Sequence, residues 1–146
     1  MMRPPQQPRT QERLESFPVY QAARKLFDDF WTDSELMGKD HRGQELSQLQ
    51  LRSLDSICAN MELGFGRGFT EELPRYLQIA CGNAIESRGR YGRCGHLLPA
   101  DVLKQRLAAL DQIISSLAEA VKTVEAKQKQ GSPSAISRHL PPDTAQ

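Results

Sequence analysis

Seven apolar residues near the carboxy-terminal end, Leu103, Leu107, Leu110, Ile114, Leu117, Val121 and Val124, follow one another at alternating steps of four and three. That period places them along one face of an α-helix and makes the face a knobs-into-holes seam. A strand would alternate at every second residue, so this stretch is not a strand. A helix from Pro99 to about Lys129 would be roughly 45 Å long at ~1.5 Å per residue. Such a seam has to be covered over most of its length, which commits the rest of the chain to supplying further helices. The run Lys127-Gln128-Lys129-Gln130 is wholly polar and is expected to project into solvent, with Gly131 ending the helix.

Three partners can be read upstream. Leu51, Leu54, Cys58, Met61 and Phe65 repeat by three and four, predicting a helix from about Gln44 to Leu63, with Gly64 expected as its left-handed C-cap. Thr70 is expected to cap the next helix, with Glu71 and Glu72 at its positive end and Pro74 tolerated in its first turn. Leu73, Leu77, Ala80 and Ala84 form its buried stripe. Gly89 and Gly92 each cost about 1 kcal/mol relative to alanine in a helix interior, so this helix is expected to end between Arg88 and Gly92. A first helix from Pro18 to about Gly38 presents Val19, Ala23, Phe27 and Phe30, flanked by Leu26 and Trp31. The polar stretch from Asp33 to Gly43 is expected to connect it to the second.

Four helices joined by short connections pack most simply as an all-α, up-down-up-down antiparallel four-helix bundle. The domain is expected to span residues 17–130, with Pro- and Gln-rich tails at 1–16 and 131–146 that lack the apolar content to order themselves. Val102, Ala109, Ile113 and Ala120, with Leu46 and Ile57, form a second apolar stripe, either a wide core face or a subunit interface. With 146 residues, 38% of them hydrophobic, the chain can build its core without metal or disulfides. The odd count of three cysteines, two of them on apolar helical positions, suits a reducing, cytoplasmic setting. Neither a secretory leader nor a membrane span is legible. A formal charge of +1 leaves no bulk field to draw the protein onto nucleic acid.

In Val19-Tyr20-Gln21, Ala23, Arg52, Ser56-Ile57, Ala59-Asn60, Gly64, Gly66-Arg67, Glu72, Arg75, Leu77, Ile79-Ala80, Gly82 and Glu86, across residues 17–124, the chain resembles the four-helix-bundle proteins encoded in intervening sequences of large-subunit rRNA, a family related to the accessory variability determinant of diversity-generating retroelements. It implies a non-enzymatic bundle that assembles with itself into a ring, commonly a pentamer. It also implies, as an alternative, an accessory subunit that binds RNA and partners a reverse transcriptase. The family places a glutamate immediately before the turn glycine, where this chain has Leu63, and Glu62 stands one residue earlier.

Arg88, Arg90 and Arg93, with Arg67 near the turn, are the candidate RNA-contacting residues, since guanidinium groups fork onto phosphate. Asn60, Gly64, Gly66, Arg67, Glu72, Arg75 and Glu86 are candidate turn and motif positions, with Glu72 and Arg75 expected to form a surface ion pair. The Gly64–Gly68 turn lacks the Lys-Ser/Thr of a phosphate-binding loop. Cys94 and His96 supply only two metal-type ligands, and no Glu-x-x-His motif is present for a di-iron bundle. Neither a metal, a cofactor nor a catalytic residue is expected.

Overall fold

A computed structural model describes residues 7–68 and 71–130. Five helices follow one another: α1 (Gln7–Glu15), α2 (Pro18–Met37), α3 (His41–Gly66), α4 (Leu73–Arg93) and α5 (Ala100–Gln130). There is no strand among the described residues. The fold is all-α. The broadest interfaces are those of α4 with α3 and with α5; α2 packs on α3 and, over a smaller area, on α5, while α1 lies against α3 and α2.

The seam on α5 is the backbone of the core. Leu110, Leu117 and Val121 are buried, and Leu103, Leu107, Ile114 and Val124 pack half-buried around them. They share one core with Leu26 and Met37 of α2, Leu54 and Met61 of α3, and Leu73, Leu77, Ala80 and Ala84 of α4, all essentially inaccessible. Burying one such side chain is worth about 1.5–3 kcal/mol. Ile113 and Ile57, two positions of the stripe read as either a wide core face or a subunit interface, are also wholly buried. The second stripe is therefore core at these two positions. Leu51 departs the other way: it stands 43% exposed, and Gln50 and Ser53 take the inward places beside it.

Near the amino terminus, α1 occupies much of the stretch expected as a tail. Leu14 is buried, and Phe17 beyond it sets its ring 5.1 Å from Phe65, so two apolar anchors tie the segment to the end of the bundle. The polar connection expected from Asp33 to Gly43 is reduced to residues 38–40. Helix α2 continues to Met37, and Asp40 caps α3 by accepting from the Arg42 backbone N–H at 2.8 Å. Helix α4 runs on through Gly89 and Gly92 to Arg93, because Arg90 and Tyr91 are buried and hold that turn in place. The expected cap at Thr70 and the tail from residue 131 lie outside the described residues.

Gly64 is not the left-handed cap expected of it. Helix α3 passes through it to Gly66, and the positive φ, +81°, belongs to Gly68. A Cβ on Gly64 would lie 2.9 Å from Leu73 Cδ1 and 3.0 Å from Tyr76 Cβ, so glycine is needed there for close approach of α3 and α4. A Cβ at Gly66 would meet nothing within 4 Å. Gly64→Ala is accordingly expected to destabilise by about 1–3 kcal/mol through overpacking. Gly66→Ala should be neutral or stabilising by up to about 1 kcal/mol. Paired urea titrations would check the contrast, and equal effects would refute the packing explanation.

Candidate functional site

The most buried polar cluster spans α2, α4 and α5. Asp33, 1% exposed, accepts from the Tyr91 hydroxyl at 2.7 Å and from Arg106 Nε and Nη2 at 2.7 and 3.1 Å. Arg106 also reaches Asp29 at 3.5 Å. Burial, reinforced by the hydrogen bond to Asp33, pushes the Tyr91 hydroxyl above its ordinary pKa, while the same carboxylate raises Arg106. Every member is engaged in holding three helices together. Sequence reading missed the cluster because Asp33 sits in a polar run that resembles a loop.

Of the four candidate RNA-contacting arginines, three are engaged within the fold. Arg90 is buried between α3 and α4, where it donates to Gln50 Oε1 at 2.9 Å, Ser53 Oγ at 2.8 Å and Glu86 Oε1 at 2.7 Å. It is therefore a structural residue and not a surface one. Its hydrogen bond is the main reason the Glu86 carboxyl lies below its usual range. Gln50 completes the junction by donating to the Ser87 carbonyl. Arg88 forms a two-pronged pair with Asp111 of α5. Arg67 pairs with Glu72 at 3.1 Å and covers the Tyr76 ring at 5.4 Å, so Glu72 is matched with Arg67 and not with Arg75. Arg93 is exposed. The four do not converge on one patch. Asn60 bonds back to the Ser56 carbonyl within α3, and Gly66 closes that helix on its exposed side.

The outside of the bundle carries two unlike faces, one on each side of α3. On the α2 side, Tyr20 donates to Glu62 at 2.8 Å, so Glu62 makes a contact between helices while Leu63 beside it stands 49% exposed. Tyr20, Arg24, Phe27, Asp28, Asp55, Cys58 and Glu62 line a cleft of about 320 Å³ there. Burial, then Glu62, raises the Tyr20 hydroxyl to about 12, and burial with Glu62 and Asp55 does the same for the Cys58 thiol. Trp31, edge-on to Phe27 at 6.5 Å between centroids, is 65% exposed. On the α4 side, Gly64 abuts Tyr76 and Ser53 meets Arg90, which fixes the register of the two helices. That register carries Leu49 and Leu63 of α3 and Ile79 of α4 onto a common outer face with Arg52, Arg75 and Arg93.

A second concavity, about 670 Å³, lies at the end of the core where Phe17 packs on Phe65. Phe17, Phe65, Leu73 and Leu77 form its apolar wall, and Gln112, Ser115, Ser116, Glu119 and Thr123 of α5 its polar one. Among its hydroxyls, Ser116 accepts from Gln112 at 3.3 Å and Thr123 donates to the Glu119 carbonyl at 3.0 Å. Cys58, Cys81 and Cys94 are all held above the ordinary thiol pKa by burial, which disfavours the thiolate. No group of three metal-type ligands converges among the described residues, and no helix there is long and apolar enough to cross a membrane. No protein-family model matches the chain, and no curated protein or solved structure matches it.

Proposed function

We propose that this protein is a non-catalytic scaffold of a reducing cytoplasm, in which α2 to α5 form an up-down-up-down bundle that associates with further copies of itself into a ring, with five subunits as the family resemblance implies. The observation that carries this reading is the exposed apolar surface. Trp31, Leu51, Leu63, Ile79 and Ile85 stand 40–65% exposed although the core is filled. Apolar patches of this kind mark association surfaces, and tryptophan is prominent among residues that anchor them. Light scattering across a wide concentration range is expected to give a multiple of the 16.4 kDa chain mass that persists at high salt. A monomer throughout would overturn the reading.

A second reading, an accessory subunit that holds RNA for a reverse transcriptase, is favoured by a different set of cations from the one first considered. Among the described residues, no carboxylate oxygen lies within ion-pair distance of Arg52, Arg75 or Arg93. Phosphate contacts of this type impose a steep salt dependence. Replacing these three by alanine is expected to weaken RNA binding in an anisotropy titration at least tenfold and to flatten its salt slope. Unchanged binding would dismiss the face as an RNA site.

A further inference from the structure

We propose that the two outer faces flanking α3 are mates: the acidic, aromatic face between α2 and α3 of one copy receives the aliphatic, arginine-bearing face between α3 and α4 of the next. This rests on the self-assembly reading and specifies which surfaces would serve it. Asp28, Asp55 and Glu62 line the acidic cleft, Glu62 accepting from Tyr20; Trp31, 65% exposed, follows it one turn beyond Phe27 on α2, and Leu51, 43% exposed, stands one turn before Asp55 on α3. Arg24 also lines that cleft.

The opposite face sets Leu63 and Ile79, 49% and 40% exposed, between Arg75 at one end and Arg52 and Arg93 at the other. Of the acidic residues near it, Glu72 and Glu86 are already paired with Arg67 and Arg90, Glu71 at the start of α4 is also engaged, and Glu45 lies past Leu49 at the far end. A Cβ at Gly82, midway along it, would meet nothing within 4 Å, so the ground between the two basic ends is open to a projecting side chain. An exposed aromatic ring with carboxylates along its face on one side, and aliphatic residues edged with arginines that no described carboxylate pairs on the other, are complementary in both polarity and charge. Like would repel like if either face met itself, which disfavours a two-fold contact. Because the two faces differ and sit on one subunit, their contact is head-to-tail and closes into a ring when the rotation between neighbours permits.

Mixing two half-disabled variants tests this directly. Trp31→Ala with Asp55→Arg disables the acidic face, and Arg75→Glu with Ile79→Ala disables the basic one. All four residues are exposed, so native helicity by circular dichroism is expected of both variants, and Asp55→Arg and Arg75→Glu alone serve if either pair unfolds. Each variant by itself is expected to be monomeric by light scattering. An equimolar mixture should form a dimer and nothing larger, because one competent face of each kind remains between them. If the wild type assembles but either variant keeps its full mass, or the mixture stays monomeric, the pairing of faces is wrong while self-assembly stands. A wild type that is monomeric, or an assembly that collapses on nuclease treatment, overturns both.

Discussion

Asp33→Ala is expected to remove about 3–5 kcal/mol of folding stability, the usual consequence of deleting one member of a buried ion pair. The carboxylate is 1% exposed and Arg106 opposite it 13%, so removing the acid leaves a guanidinium and the Tyr91 hydroxyl facing a site that water reaches poorly. A domain of this size has about 5–15 kcal/mol in total, and the loss is a large fraction of it. Asp29, 3.5 Å from Arg106, can recover part of the interaction, which argues for the lower end of the range. Tyr91→Phe should cost less, about 1–2 kcal/mol, since Asp33 then still has both bonds from Arg106. Replacing Asp33 and Arg106 together by leucine, with Tyr91→Phe so that no hydroxyl is left without its acceptor, should restore much of the stability, because the attraction of a buried pair largely offsets its desolvation and removing all three polar groups strands none. Urea denaturation of the three variants would decide it. A loss below about 1 kcal/mol for Asp33→Ala would show that the cluster does not carry the junction of α2, α4 and α5.

Asp33 also shows where sequence reading stops. The apolar period was enough to place four of the helices and most of the core, because a helix face repeats locally and Leu110, Leu117, Leu77 and Ala80 need no knowledge of their partners to be recognised as buried. A buried polar residue carries no such local mark. Asp33, Gln50, Ser53 and Arg90 are inside only because a group 37 or more positions away in the chain satisfies each of them. The same holds for the candidate site. Arg88, Arg90 and Arg93 look like one basic run, but successive residues on a helix point about 100° apart. The run is therefore divided among a pair with Asp111, a buried junction and open solvent. Arg52 and Arg75, distant in sequence, share a face only after α3 and α4 have packed. Gly64 was marked correctly as a special position but for the wrong reason: proximity of another helix leaves the same residue choice as a positive φ.

Gly43→Ala is expected to be among the most damaging single-methyl additions in the chain. A Cβ at this position would lie 2.0 Å from the Met37 carbonyl oxygen and 3.1 Å from Leu97 Cδ1. The leucine can rotate away, but the carbonyl belongs to the last residue of α2, and only three residues separate it from the start of α3. To admit the methyl, α2 and α3 would have to separate where Met37, itself fully buried, seals the end of the core. Overpacking costs typically 1–3 kcal/mol when side chains can adjust, and a backbone obstruction places this variant at or above about 3 kcal/mol. Gly92→Ala is the control: it is helical and exposed, with open space where the methyl would go, and should be stabilising by up to about 1 kcal/mol. Thermal and urea unfolding should therefore move in opposite directions for the two variants. If Gly43→Ala unfolds at the wild-type midpoint, α2 and α3 do not meet as closely as the fold requires, and the register that carries Asp33 to Tyr91 would have to be reconsidered with it.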